Sequence, residues 1–369
     1  MIHVCFLISS LANEGPTNVM YNIIKYMDRD KFRISVITLI PEKSNSRLEE
    51  FGKLGIDIYQ LSVHQKLSMI SLYKALKRVV ASISPDCLHA HCARSLYLMC
   101  FLPRKYKRIY TVHIFPGYQQ IQILGPIKGR IVTALNNFFT RKCDLPIGCA
   151  KSVGQMYNAQ KGWNLKCIPN GASAPVLSVS CLDKNSKRQD LGLQMNIVYF
   201  VFIGRFSKEK NPDVLIDVFN SLPNKDIGLI MLGDGPMWKE LHDRASEKIV
   251  MPGFTTHVYD YLQAADFYIS LSDVEGLANT LLESMSIGLP MVLSNIPSHN
   301  EVMDNFAKVK VGEIVNQHDM QNVIVALNEV KKLDWQETSK EIRRVYQSVY
   351  TAQVMSESYQ KEYMSIINK

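Results

Sequence analysis

Thirteen short apolar runs punctuate this sequence, and the longer segments between them carry apolar residues at helical period. That alternation restricts the fold more than any other feature. A strand, a helix and another strand in succession build parallel sheet, because a parallel neighbour is reached only through a crossover connection. In the first half the runs are His3–Ser10, Arg33–Ile40, Ile56–Leu61, Asp86–His91, Arg108–Ile114, Leu145–Cys149 and Lys166–Pro169, with helical stretches such as Thr17–Met27 and Ser68–Ser82 between them. In the second half they are Ile197–Phe206, Ile227–Gly233, Ile249–Gly253, Phe267–Ser272, Pro290–Asn295 and Val309–Val315. From Asn170–Gly171 to Asn185–Ser186 the periodicity lapses among Asn, Gly, Ser and Pro, which marks a linker. The pattern predicts an α/β chain of two Rossmann-like, doubly wound domains, 1–175 and 176–345, facing each other across a cleft. A helical tail, 346–369, caps the second domain or crosses back to the first.

The 369 residues, 47% hydrophobic and 21% charged, are enough for two cores and far too apolar for a disordered chain. Eight cysteines (Cys5, Cys87, Cys92, Cys100, Cys143, Cys149, Cys167 and Cys181) include no C-x-x-C pair and read as reduced thiols, not as a zinc site or a disulfide framework. No window approaches the ~20 apolar residues of a membrane span. The opening MIHVCFLISS has neither a leading basic residue nor a small-residue cleavage site, so it reads as a first strand. A cytoplasmic protein is expected, with peripheral contact at the inner face of the plasma membrane. Charge divides unevenly: residues 1–175 hold 23 Lys/Arg and 9 Asp/Glu, net +14, and the remainder 19 and 25, net −6. The basic half should seek an anionic partner. Within it, Pro103-Arg-Lys-Tyr-Lys-Arg-Ile-Tyr110, with Lys128, Arg130, Arg141 and Lys142 downstream, is either a solvated surface or a contact for anionic lipid head groups. Nucleic acid is not expected, since the cations come with no stacking motif.

Open α/β sheets bind ligands beyond the carboxyl ends of their strands, so the loops after strands carry the candidates. In Ser270-Leu-Ser-Asp-Val-Glu-Gly-Leu-Ala-Asn-Thr-Leu-Leu-Glu283 a polar loop holds Glu275 and Gly276, and a helix begins near Ala278 with Leu281, Leu282 and Met285 on its buried face. The free amides of its first turn attract anions, and Glu283 lies roughly 6 Å further along the axis. That suits a ligand with a phosphate at the helix tip and vicinal hydroxyls beyond; an ordinary exposed helix has the same spacing. In Phe202-Ile-Gly-Arg-Phe-Ser-Lys-Glu-Lys-Asn211, Arg205 and Lys210 follow a buried strand, where two cations can neutralise a diphosphate or belong to a solvated loop. Leu232-Gly-Asp-Gly-Pro236 reads as a tight strand-to-helix turn, since it lacks the rest of a dinucleotide fingerprint. Asp28-Arg-Asp30 reads as turn chemistry, and no metal is expected. His89 and His91, in Leu88-His-Ala-His91, are expected on opposite faces of their strand.

Taken together, Gly204-Arg205 with Lys210, Gly233-Asp-Gly-Pro236, Glu275-Gly276 with Glu283, Gly288-Leu-Pro290 and Glu301 resemble the retaining glycosyltransferases of family 4, which have the GT-B architecture. The resemblance runs from the first strand to about Val315 and is strongest over 200–301. It implies that Arg205 and Lys210 bind the donor diphosphate, Glu283 the ribose hydroxyls and Glu275 the transferred sugar. It also implies that Gly276, Leu277, Ala278, Asn279 and Thr280 offer amides to sugar and phosphate, with Gly204, Gly253 and Gly15 completing the donor site. Gly15, in Leu11-Ala-Asn-Glu-Gly-Pro16, stands alone where the family usually has a glycine pair. His113, in Tyr110-Thr-Val-His113, matches the family's active-site histidine. The implied activity is metal-free, cofactor-free transfer of a hexose or N-acetylhexosamine from a nucleoside-diphosphate sugar, UDP-linked, to a lipid-linked or lipopolysaccharide-type glycan. A sugar-nucleotide epimerase of the same architecture is the alternative.

Overall fold

A computed structural model of the chain describes residues 1–62, 67–174, 184–223 and 226–368. They form two compact units, Met1–Gly171 with Ala352–Lys369, and Ala172–Thr351. These limits differ from those expected at 175/176 and 345/346. The Ala172 amide donates to the Tyr350 carbonyl (3.0 Å) and the Tyr346 hydroxyl donates to the Ala172 carbonyl (2.7 Å), so both segments belong to the second unit. Residues 346–350 form a π-helical turn, and the terminal helix, Ala352–Ile367, starts only after it. Residues 175–183 of the expected linker, including Cys181, lie outside the described residues, and no disulfide joins the described cysteines.

The first unit has strands β1 (Ile2–Ile8), β2 (Phe32–Thr38), β3 (Asp57–Gln60), β4 (Cys87–Ala90), β5 (Lys107–Val112), β6 (Leu145–Gly148) and β7 (Lys166–Cys167). They form one parallel sheet in the order β3-β2-β1-β4-β5-β6-β7. Alternate residues of β1 supply two cores. Val4, Phe6 and Ile8 pack with Val19, Met20 and Ile23 of the helix Gly15–Lys25 and with Met355, Tyr359 and Tyr363 of the terminal helix. Cys5 and Leu7 pack on the other face with Leu72, Leu76 and Val80 of the helix Met69–Ile83.

The second unit has β8 (Val198–Ile203), β9 (Ile227–Leu232), β10 (Ile249–Gly253), β11 (Phe267–Ser270), β12 (Met291–Ser294) and β13 (Gly312–Val315), all parallel, in the order β10-β9-β8-β11-β12-β13. Its core is aromatic at the centre, with Phe200, Phe202, Phe206 and Phe219 fully buried. Strands covered on both faces read as continuous apolar runs, which is why they stand out in the sequence. In each sheet the winding reverses beside the first strand, between β1 and β4 and between β8 and β11, and ligands of such folds lie beyond the strand ends at that point. Among the described residues no helix is long and apolar enough to cross a membrane.

Candidate active site

In the second unit the predicted residues gather at the carboxyl ends of β8 to β11. Gly204 follows β8, Gly233 follows β9 and Gly253 ends β10. The Gly233 amide donates to the Gly253 carbonyl (2.9 Å), and the Gly204 amide to the Leu232 carbonyl (3.0 Å). A Cβ on Gly233 would stand 1.9 Å from the Gly204 carbonyl oxygen, and Gly233 has a φ of 132°, so only glycine fits between these loops. The Gly-Asp-Gly-Pro stretch is thus a turn locked onto the loop that presents Arg205: Phe206 and Asp234 bond through the backbone (3.0 Å). Arg205 itself is exposed.

Lys210 closes the single 3₁₀ turn Lys208–Lys210, and its ammonium donates to Glu275 Oε1. The Ser272 hydroxyl donates to the same oxygen (2.9 Å). Burial alone would raise the Glu275 carboxyl, but the charge and hydrogen bond of Lys210, with the hydrogen bond of Ser272, outweigh it and hold the group below its ordinary value. His299, from the helix Pro297–Met303, is fully buried with Nδ1 3.1 Å from the Ser294 carbonyl. Burial pushes it down to about 4 against the attraction of Glu275, so it is neutral at pH 7. The Ser294 hydroxyl donates to the Ser272 carbonyl (2.6 Å). Asn211, held at a left-handed φ of 49°, donates to the Leu271 carbonyl (2.9 Å) and to Asp273 (2.8 Å).

The helix after β11 starts at Asn279 and runs to Ile287; no side chain caps it at Ala278. Leu281, Leu282 and Met285 are buried as the sequence implied, and Glu283 is half-buried. The buried Tyr268 hydroxyl bonds to Thr280 (3.1 Å). Burial raises that phenol, the Thr280 bond lowers it, and the charges of Glu275 and Glu283 raise it further. Gly288 ends the helix at a φ of 84°, where a Cβ would meet Ser339 Oγ at 2.3 Å.

In the first unit, Gly15 is the first residue of its helix, ahead of Pro16, and its Cβ position faces open space. His113 follows β5, and its Nε2 is 3.2 Å from His91 Nδ1. Burial pushes the His113 ring down to about 3 and lowers His91 and His89 as well, so the cluster is neutral. The His89 and His91 rings lie 4.2 Å apart, which corrects the expectation of opposite faces: side chains two apart on a strand share a face. His89 bonds to Tyr363 (2.8 Å) and Thr111 (2.8 Å), and Thr111 bonds to Tyr359 (2.8 Å). Asp28 and Asp30 form the expected turn, with the Asp30 amide on Asp28 Oδ1 (3.0 Å) and Lys31 on the same carboxylate (2.8 Å).

Five residues of the second unit's arrangement were not singled out from sequence: Asn211, Ser272, Asp273, Ser294 and His299. Each stands at a strand end or a helix start, and that position was the available signal.

The profile of Glycosyltransferase Family 4 matches residues 14–174, and that of Glycosyl transferases group 1 matches 183–347. The UDP-Gal:alpha-D-GlcNAc-diphosphoundecaprenol alpha-1,3-galactosyltransferase of Escherichia coli is 24% identical over 276 residues, 70% of this chain and 69% of that protein. The capsular polysaccharide biosynthesis glycosyltransferase CapH of Staphylococcus aureus is 22% identical over 83% of this chain and 85% of its own length. The crystal structure of Anabaena Alr3699/HepE in complex with UDP and glucose superposes with a TM-score of 0.79 at 19% identity, covering 99% of this chain and all of that one. The two profiles between them account for both units, and the chain belongs to the family 4 glycosyltransferases of GT-B fold.

Proposed function

We propose that the chain transfers a hexose or N-acetylhexosamine from a UDP-sugar, with retention, to a lipid-linked or lipopolysaccharide-type glycan in O-antigen, capsule or exopolysaccharide synthesis. The Lys210–Glu275 pair at the strand ends, beside the uncapped start of the Asn279–Ile287 helix, carries the reading. A diphosphate placed there meets one cation, backbone amides and the positive end of a helix. Arg205 on the adjoining loop adds a second cation. Support for the sugar nucleotide comes from the UDP complex of the Anabaena protein, and for a lipid-linked acceptor from the name of the Escherichia coli relative.

In this mechanism the anomeric carbon gains oxocarbenium character as the diphosphate departs, and Arg205 and Lys210 offset the charge left on its oxygen. The acceptor hydroxyl attacks on the face the diphosphate leaves, and its proton passes to the departing phosphate oxygen. Glu283 accepts the ribose hydroxyls, Glu275 the sugar hydroxyls, and backbone amides of 276–280 donate. His113, kept neutral by burial, orients the sugar or acceptor by a hydrogen bond. No metal and no cofactor are assigned. The basic first unit holds the protein at the anionic inner face of the plasma membrane.

A thermal-shift panel of nucleotide sugars tests the donor, since the true one stabilises the fold by mass action. Glu283→Ala should raise the donor KM, whereas Arg205→Ala and Lys210→Ala should lower kcat by about 10²–10³. Equal small effects from all three, or isomerisation of the sugar nucleotide without acceptor, would overturn the proposal.

A further inference from the structure

The helix Pro126–Thr140 is built inside out. Its buried residues are Gly129, Asn136, Asn137 and Thr140, while Ile127, Ile131, Leu135 and Phe138 are 74%, 55%, 41% and 55% exposed. The inward face is small and polar for stated reasons. A Cβ on Gly129 would lie 2.5 Å from the backbone of Ile121 in the helix Tyr118–Leu124, and the Tyr97 hydroxyl donates to Asn136. At about 100° per residue the exposed apolar side chains fall within an arc of about 100°, a continuous stripe on one side of the helix. Phe139 links that stripe to Phe101, which is 63% exposed: the ring centroids of Phe138 and Phe139 are 5.2 Å apart and those of Phe139 and Phe101 5.6 Å.

Cations line the stripe. Lys128 and Arg130 are exposed and fall on its opposite margins, and the Lys142 ammonium sits 5.2 Å from the centre of the Phe138 ring. Between Asp86 and Asp144 the sequence carries nine Lys/Arg and no acidic residue. An apolar stripe rimmed by cations, on a helix that carries no acidic residue, is complementary to an anionic bilayer: apolar side chains enter the acyl boundary and the ammonium and guanidinium groups meet phosphates. A second copy of the chain fits less well, since a two-fold interface on this stripe would set cationic margins against each other.

We propose that the Pro126–Thr140 helix lies in the plane of an anionic membrane with Ile127, Ile131, Leu135 and Phe138 inserted, so that attachment has a hydrophobic component beyond charge attraction. This rests on the membrane-surface reading above and names its face and its mode. Fifteen residues at ~1.5 Å each give about 22 Å of inserted helix.

The test is co-sedimentation of the full chain with vesicles of phosphatidylcholine alone or of phosphatidylcholine and phosphatidylglycerol in equal parts, at low and high salt. The wild-type protein should prefer the anionic vesicles and keep a salt-resistant bound fraction. Ile127→Ser/Ile131→Ser/Phe138→Ser should still bind at low salt and lose at least about tenfold in partitioning at high salt. Lys128→Gln/Arg130→Gln/Lys142→Gln should lose the preference for anionic lipid. High-salt binding of the apolar triple variant equal to wild type would overturn the proposal. So would a change from oligomer to monomer in that variant with vesicle binding unaltered, which would make the stripe a self-association surface. Donor-induced thermal shifts, measured on the same proteins, stay unchanged here; their loss in the wild type would strike the transferase reading and leave this one standing.

Discussion

At the scale of single residues, the candidate site is organised by one ion pair. Lys210 and Glu275 are each largely enclosed, with side-chain exposures of 22% and 12%, so neither is held by solvent when the other is removed. Lys210→Ala should therefore cost about 1–3 kcal/mol of stability by stranding the carboxylate, as well as lowering kcat. Adding Glu275→Gln to it should return most of the stability in denaturant unfolding and none of the turnover. A double variant as unstable as the single one would show that the pair is not what Lys210 contributes. Both residues were legible in the sequence, because each stands shortly after a buried run. Their mutual bond was not, because 65 positions separate them and only the adjacency of β8 and β11 in the sheet brings their loops together. The histidines are a second instance. His113 is legible by motif, while its hydrogen bond to His91 is not, because 22 positions separate them and only the pairing of β4 with β5 brings them together.

At the scale of elements, each of the thirteen apolar runs is a strand, but several runs extend beyond the ladder. Phe206 is fully buried in a loop three residues after β8 ends, and Val311 is buried just before β13 begins. Burial continues where the ladder has stopped, and an apolar pattern reports the first and not the second. The turn after β9 carries a sharper consequence. Gly233→Ala combines a disfavoured φ with a 1.9 Å clash against the neighbouring loop, and should cost about 2–4 kcal/mol and weaken donor binding by displacing Gly204 and Arg205. Gly55→Ala makes the comparison, since Gly55 has a φ of 65° but open space around its Cβ position. It should cost about 1 kcal/mol and leave the donor KM unchanged. Equal costs in the two variants would refute the steric account.

At the scale of the whole molecule, the first unit is discontinuous in sequence: its sheet comes from residues before Gly171 and part of its core from the helix Ala352–Ile367. Tyr359 and Tyr363 of that helix complete a buried chain of hydroxyls and imidazole through Thr111 and His89, directly beside the His91–His113 pair. Tyr363→Phe should strand His89 Nδ1 and cost about 1–3 kcal/mol, read as earlier unfolding of the first unit in hydrogen exchange while the second unit is protected as before. Uniform loss of protection across both units would contradict this division of the chain. The sequence had left the tail's destination open, because an amphipathic helix states what it must cover and not which sheet supplies it.

The discontinuity also bears on how the protein is made. The second unit is one uninterrupted stretch and has all its described strands once Val315 has been synthesised, whereas the face of the first sheet that the helix Gly15–Lys25 shares with the helix Ala352–Ile367 stays only partly covered until the latter has been made. During that interval Val4, Phe6 and Ile8 have Val19, Met20 and Ile23 beside them but still await Met355, Tyr359 and Tyr363 some 350 positions away, so a chain broken off before that helix would expose apolar surface on the strand made first.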